Sequence, residues 1–382
     1  MTPIALVRIS DRIRKEAPDT LRFFAEQGVD IRIISGDNPV TVSGVAQRAG
    51  LENYDSYIDA STLATDEDIR EAAGKYKIFG RVTPHQKLEL VKALKSQGHT
   101  VAMTGDGVND VLALKEADCS VAMQSGSDAA RNVSNIVLLD SNFASMPKIV
   151  AEGRRSINNI ERSGVLFLYK TVYSFLAALL FCFVPMGYPL QAIQLTQINI
   201  FTNGIPSFIL ALEPNFDIVR GRFIDNVLPK SIIHGLLITA NFVGLVLSRY
   251  ICAWTGFIPF EVFDAGIETV ATITTGFAAF VILFKVCLPL KGWKIGLLVF
   301  LTGGFTLDLF VLAGVLLDLQ PLDIPMLIVM FILIGVSVFI GTVTKIFEKP
   351  MESALLGFQQ RCRRLLDRIS AAFKRKKQKL GF

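Results

Sequence analysis

Six apolar stretches, each long enough to cross a lipid bilayer, fill most of this chain beyond residue 160: residues 164–184, 190–212, 232–252, 267–288, 295–317 and 326–344. A spanning helix needs about 20 residues. Inside hydrocarbon the backbone has to satisfy its own polar groups, which leaves helices or closed barrels as the only spanning structures. Buried core helices of a soluble protein do not account for six runs of this length. Composition agrees, with 51% hydrophobic and only 19% charged residues, where soluble domains carry about 25% charged residues. The chain therefore reads as an all-α six-helix transmembrane bundle over 151–345, preceded by a different kind of unit over 1–150 and followed by a tail over 346–382.

Loop charge gives an orientation. The connection 213–230 carries Arg220, Arg222 and Lys230, and the one near 285–294 carries Lys285, Lys291 and Lys294. Between them "PFEVFDAGIE" has carboxylates and no basic residue, as has "LDLQPLDIP" further on. The alternation puts the basic loops, residues 1–150 and the tail on the cytoplasmic side of a plasma membrane. Membrane lipid is thus an expected partner, and nucleic acid is not. The tail ends in "FKRKKQKLGF", and Leu355, Phe358, Cys362, Leu365, Ile369 and Phe373 recur at helical spacing with arginines between them. It reads either as a basic amphipathic helix on an anionic leaflet or as a disordered basic tail. The five cysteines are scattered with no C-x-x-C pair, so neither a disulfide framework nor a zinc site is expected.

Residues 1–150 alternate strand and helix patterns. "VDIRIIS" reads as a strand, and "VTVSGVAQRAG" as a helix ended by Gly50. "YKIFGRV" and the helix "TPHQKLELVKALKSQG" follow, then the strand "HTVAMT", the helix "VLALKEAD" and the short strands "CSVAM" and "NIVLL". This order implies a parallel sheet covered on both faces, whose working loops lie at the C-terminal strand ends. "SGDN" and "TGDGVND" both fall there.

Three pieces of this unit carry chemistry. Ser35-Gly36-Asp37 offers a hydroxyl and backbone N–H groups near a helix start, suited to a phosphoryl oxygen. Pro84 opens a helix and places Lys87 one turn in, where a fixed ammonium can neutralise a transferring phosphoryl group. Asp106 and Asp110 can bring two carboxylates to one Mg²⁺, with Asn109 as a further contact. Magnesium takes one or two carboxylates together with phosphate oxygens and water. Alone, "SGD" is usually a turn and Lys87 a solvated helix lysine; "TGDGVND" between strand and helix is far more specific.

In this order, followed by six spans, "ISGDN", "FGRVTPHQK" and "MTGDGVNDVLALKEADCSVAM" resemble the C-terminal part of a P-type cation-transporting ATPase of the calcium- or magnesium-pump kind. "GRRSINNIERS" is similar to that family's linker into the span that follows. The resemblance covers nearly the whole chain. It implies an α/β phosphorylation domain of the haloacid-dehalogenase (HAD) fold, and phosphoryl transfer from ATP to an aspartate coupled to cation movement. It places Asp106 and Asp110 on the Mg²⁺ side and Ser35, Lys87 and Asn109 at the phosphate. The family's nucleophile lies in Asp-Lys-Thr-Gly-Thr, and no such stretch occurs in this sequence. The strand bearing that nucleophile, the nucleotide-binding domain and the hydrolytic Thr-Gly-Glu-Ser loop are expected to be absent. The expectation is an incomplete pump portion, inactive alone, read either as a truncated reading frame or as one half of a split pump whose N-terminal half is separately encoded. The other readings are a non-enzymatic membrane subunit and a membrane-tethered phosphatase, the latter disfavoured by the missing nucleophile.

The spans offer a transport site. Polar residues in lipid usually face a pathway, and the second stretch carries Gln194, Thr196, Gln197, Asn199, Thr202, Asn203 and then Pro206. "INIFTNGIP" resembles the family's unwound ion-binding segment, which puts Asn199, Thr202 and Asn203 at ligand positions for the transported cation. In the first stretch the corresponding positions are near Thr171 and Ser174. The adjacent Lys170 reads as an internal counter-charge or as a snorkelling lysine. Thr272 to Thr275 read as helix-packing residues, and Asp308 as the one carboxylate deep in a span.

Overall fold

The structure, a computed structural model, describes residues 12–344 and isolated positions up to residue 361. The amphipathic pattern expected over 346–382 falls outside the described residues, those isolated positions aside. The chain divides into two compact units, Met1–Ala151 and Glu152–Phe382.

The first unit runs α1 (Ala17–Glu26), β1 (Ile33–Ile34), α2 (Pro39–Arg48), β2 (Tyr57–Asp59), α3 (Asp66–Lys75), β3 (Ile78–Gly80) and α4 (Pro84–Ser96). It continues with β4 (Ala102–Gly105), α5 (Val111–Glu116), β5 (Cys119–Met123), α6 (Asp128–Val133) and β6 (Ile136–Leu138). Local chemistry fixes the helix starts. The Thr83 hydroxyl accepts from the Gln86 N–H (3.3 Å) and the Gln86 amide oxygen accepts from the Thr83 N–H (3.0 Å). This capping box satisfies two otherwise orphan donors, and Pro84 sits where its missing N–H is not needed. At the start of α2 the Asn38 Oδ1 accepts from the Val40 N–H (3.0 Å), ahead of Pro39. Past the helix ends, Gly50 and Gly98 take φ of +80° and +89°, a conformation that costs glycine nothing sterically.

All strand pairs are parallel, but they form two three-stranded ladders, β1-β3-β2 and β4-β5-β6. The alternating pattern alone implies a single sheet. Among the described residues no strand pairing joins the ladders, and β1 and β4 each stand at an edge. Side chains do the joining. Phe79 and Leu90 centre one buried cluster, and Met103, Leu114 and Ala122 another. Helix α4 contributes Leu90 to the first and Val91 to the second. The strand expected over 29–35 shortens to Ile33–Ile34. Elements α1, β2, α3 and α6 are additional to those read from the sequence.

The second unit contains α7 (from Met146, ending at Phe183), α8 (Ala192–Asn199), α9 (Ile205–Ala211), α10 (Phe223–Thr255), α11 (Phe260–Val286), α12 (Gly292–Leu312) and α13 (Ile324–Thr344). Five helices are long and apolar enough to cross a membrane. The sixth expected stretch, 190–212, is not one continuous α-helix. Between α8 and α9 the backbone widens into a π-turn over Ile200–Gly204. Pro206 has no N–H for the preceding ladder, and π-turns are a common way for a helix to absorb such a break.

At one end of this unit charges are buried together. The Glu213 side chain, 3% exposed, receives the Lys294 ammonium at 2.9 Å and the Arg162 guanidinium, with Lys291 at 3.6 Å. Lys294, wholly buried, also donates to the carbonyls of Cys287 (3.0 Å) and Pro289 (3.2 Å). Asn159 donates to the carbonyls of Ala211 and Glu213. The end of α9 is thus tied to α7 and to the α11–α12 connection. Glu213 lies just outside the spans. Burial acts to raise its carboxyl pKa, but the hydrogen bond from Lys294 and the charge of Arg162 outweigh burial, and the net direction is downward.

Removing one member of a buried ion cluster strands the others, at about 3–5 kcal/mol. Glu213→Gln is therefore expected to lower the thermal midpoint of the detergent-solubilised chain markedly at pH 7. A carboxyl with a lowered folded-state pKa contributes stability above its ordinary value of about 4.3, and that contribution is lost as pH falls through the folded value. The gap between wild type and variant should narrow below pH ~4. A gap of constant size from pH 7 to pH 3 would show that the charge of Glu213 contributes nothing.

Candidate functional site

The loops that follow β1 and β4 hold the polar residues singled out in the first unit. After β4, Asp110 turns back into the loop. Its Oδ1 accepts from Lys87 Nζ at 2.6 Å and its Oδ2 from the Gly107 N–H at 3.2 Å. The two side chains of this pair are only 12% and 10% exposed. Gly105 makes the approach feasible, because a Cβ there would lie 2.6 Å from that of Asp110. Asp106 sits differently. Its side chain is exposed and, among the described residues, has no partner, while its carbonyl accepts from the Ser127 N–H at 2.8 Å. A Cβ on Gly126 would come within 2.7 Å of that carbonyl oxygen. Asn109 is exposed beside it.

After β1, the Ser35 hydroxyl accepts from the Asp37 N–H and donates to the Asp37 carboxylate, both at 3.1 Å, around the exposed Gly36. This turn is pinned to the residues after β3. The Ser35 carbonyl accepts from Val82 N–H (3.0 Å) and the Asp37 carbonyl from Arg81 N–H (2.8 Å). Thr83, which caps the helix bearing Lys87, follows directly. The structure thus links the Ser35 turn, Lys87 and Asp110 through one short stretch of chain.

Among the described residues no group of three or more metal-ligating side chains occurs. The hard-oxygen pair Asp106 and Asp110 nevertheless suits Mg²⁺ completed by phosphate oxygens and water. Asp106 can take a cation without giving up an existing partner, and Asp110 is held in place by Lys87. The glycines of "TGDGVND" are expected to let the loop backbone come close, as Gly105 does, whereas Gly126 carries no sequence signal of the Asp106 carbonyl that approaches it.

In the second unit the Asn203 side-chain amide, buried in the π-turn, hydrogen-bonds the Tyr169 hydroxyl and the Asn199 amide, each at 3.0 Å. Thr202 donates to the carbonyl of Ile198 in its own helix (2.7 Å). From α7 the partner is Tyr169, not Thr171. Thr171 lies on the exposed face, and Ser174 and Lys170 are half-buried. Helix geometry gives the reason: Tyr169 and Tyr173, four apart, share the buried face, and their rings stack with centroids 6.0 Å apart. The Gln197 amide and the Ser207 and Thr275 hydroxyls are buried without a protein partner among the described residues. Such groups are rare in native interiors and mark places where a polar guest belongs. Thr272 and Thr274 instead bond carbonyls of their own helix. Asp308 has company as a span carboxylate: Glu268 in α11 accepts from Gln191 (2.8 Å) and Gln194 (3.3 Å).

A family model described as haloacid dehalogenase-like hydrolase matches residues 2–118. Over 311 residues the chain is 40% identical to a probable cation-transporting ATPase, exp7, of Streptococcus pneumoniae, covering 79% of this chain and 39% of that protein. It is 44% identical over 309 residues to the calcium-transporting ATPase CtpE of Mycobacterium bovis, covering 78% and 38%. It is 32% identical over 265 residues to a plasma membrane-type calcium-transporting ATPase of Arabidopsis thaliana, covering 63% and 25%. The chain spans at most about two-fifths of the length of these relatives.

The two aspartates should respond in opposite ways to neutralisation. Asp110→Asn leaves the largely buried Lys87 ammonium without its counter-charge and is expected to destabilise the first unit by about 3 kcal/mol. Asp106→Asn, at an exposed unpaired group, should stay within about 0.5 kcal/mol. Native-state hydrogen exchange of α4 and β4 in the full chain reads both; equal effects would mean that Asp110 is not held as described.

Proposed function

We propose that this chain, homologous to cation-transporting P-type ATPases over about two-fifths of their length, is the part of such a pump that holds the metal and phosphate of the phosphorylation site and carries the cation across the membrane. The observation that carries the reading is the pair of aspartates after β4, one exposed and free and one fixed by Lys87 at 2.6 Å.

In this reading Asp106 and Asp110 hold Mg²⁺, and Ser35, Lys87 and Asn109 hold the oxygens of the transferring phosphoryl group. Magnesium, when bound, neutralises charge on those oxygens. Lys87 moves from Asp110 alone to a position shared with phosphate, a short shift for a flexible stem. The Ser35 hydroxyl is already fixed by Asp37 and needs little reordering. The attacking carboxylate is supplied by an Asp-Lys-Thr-Gly-Thr segment, which this sequence does not contain. One further parallel strand between the edges β1 and β4 would deliver such a carboxylate between the Ser35 and Asp106 loops. The residues of this chain alone therefore form no phosphoenzyme from ATP; a polypeptide segment bearing that aspartate is needed to complete the site.

For the cation, Asn199, Thr202 and Asn203 at the π-turn provide oxygens, and the unpartnered Gln197, Ser207 and Thr275 extend the set. The favoured cargo is divalent, calcium or magnesium, calcium being the cation that the names of two relatives carry. The alternation of basic and acidic loops supports a plasma-membrane protein with residues 1–150 on the cytoplasmic side.

Expressed alone and given radiolabelled ATP, the chain should retain no acid-stable label. Together with a polypeptide carrying Asp-Lys-Thr-Gly-Thr it should show cation-stimulated ATP hydrolysis, and Asp106→Asn should remove that activity. Label on the isolated chain would sink the proposal. In the reunited pump, Asn203→Ala is expected to abolish cation-dependent turnover while leaving phosphorylation by inorganic phosphate intact. Unchanged cation affinity in that variant would move the transport site elsewhere, with Asp308 the next candidate.

A further inference from the structure

A cavity of about 330 Å³ opens among α7, α10 and the end of α11 in the second unit, away from the π-turn residues. Its polar lining is biased toward positive charge. Arg162, Lys230 and Lys285 face it, against one carboxylate, Glu161. That carboxylate is already engaged, accepting from Asn226 Nδ2 at 2.9 Å. Arg162 is committed to Glu213, and the Lys285 ammonium also donates to the Thr344 hydroxyl. Lys230 is exposed and has no protein partner among the described residues.

The second observation is His234, which lines the same cavity. It is only 4% exposed, and neither ring nitrogen has a hydrogen-bond partner among the described residues. A buried imidazole always carries at least one N–H that needs an acceptor. A buried donor left unmet is unfavourable, and an anionic oxygen is the best acceptor for it. Asn158, Asn215 and Asn226 complete the polar lining, and the apolar part of the wall is Val165, Val227, Val286 and Leu288, the last two at the α11 end. Helix α10 begins with the exposed Phe223 and Ile224, so apolar surface adjoins the charged residues in sequence.

We propose that this cavity binds a phosphate-bearing anion, supplied by the headgroup of an anionic phospholipid. The phosphodiester accepts from His234 and lies between the Lys230 and Lys285 ammonium groups, and the acyl chains leave along the apolar wall. Basic pockets between spans on the cytoplasmic face are suited to such headgroups, each nearby lysine contributing roughly a five-fold preference. A cation is disfavoured in the same place by the Lys230 and Lys285 ammonium groups. The proposal concerns neither the phosphorylation site nor the transported ion, and its test reads lipid rather than ATP hydrolysis.

The full chain in dodecyl maltoside micelles is titrated with dioleoyl phosphatidylglycerol, with dioleoyl phosphatidylcholine and with glycerol 3-phosphate, and bound ligand is counted by native mass spectrometry. Phosphatidylglycerol should bind at least about five-fold more tightly than phosphatidylcholine. Lys230→Gln should weaken it by about five-fold at an unchanged thermal midpoint. His234→Gln keeps a donor in the cavity and should retain binding, whereas His234→Phe should lose it. Glycerol 3-phosphate binding as tightly as the lipid would support the phosphate site and assign its source to solution. Equal affinity for the two lipids, or phosphatidylglycerol binding unchanged in both Lys230→Gln and His234→Phe, overturns the proposal.

Discussion

A largely buried ion pair, Lys87 to Asp110, helps to join what strand pairing leaves apart, with Lys95 of the same helix reaching Glu116 and Asp118 nearer the surface. The α/β unit consists of two parallel ladders, one ending in the Ser35 turn and the other in the Asp106 loop. Helix α4 bridges their cores through Leu90 and Val91, and its first turn sends Lys87 to Asp110. Charges removed from water are held only when each finds its partner at good geometry, so the pair fixes the approach of the loop to the helix. Because Asp110 is occupied in this way, Asp106 is the carboxylate left facing outward. This arrangement of a fixed residue beside a free one follows from one contact and from the absence of a Cβ at position 105.

The second unit solves a different problem with the same physics. Without water, each interrupted backbone bond and each polar side chain has to be met from within. At the π-turn, Asn203 meets Tyr169 and Asn199, and Thr202 returns to its own helix. At the end of α9, Glu213 gathers Arg162 and Lys294 and binds three segments together. The groups that remain unmet, Gln197, Ser207, Thr275 and His234 among them, are therefore informative. In an interior where most polar groups are satisfied, those left over mark where guests belong.

Several residues became legible only through their neighbours. Thr171 and Tyr169 look equally available in the sequence of α7. Which of them faces Asn203 is decided by helix rotation, set by the packing of Tyr169 and Tyr173 with Phe242. Glu268 reads as an ordinary residue at the mouth of a span until Gln191 and Gln194 are seen to converge on it. Gly105 reads as a glycine that lets the loop backbone approach the carboxylates, but what meets it, the Cβ of Asp110, and the place of Gly126 against the Asp106 carbonyl come only from the structure.

The sequence by itself determined what depends on local or one-dimensional properties. Apolar runs of spanning length announced the helical unit, because lipid leaves a chain few alternatives. Strand-then-helix alternation announced parallel strands, and Pro84 announced the start of the helix that carries Lys87. The tertiary structure alone decided what depends on distance between remote segments. It set the division of the strands into two ladders, the capture of Asp110 by Lys87 across 23 positions, the π-turn in place of a sixth continuous helix, and the cation-lined cavity around His234. Hydrophobic period and capping act within a few residues of chain. Ion pairs, close glycine approaches and unmet donors arise only once packing has brought separate segments together.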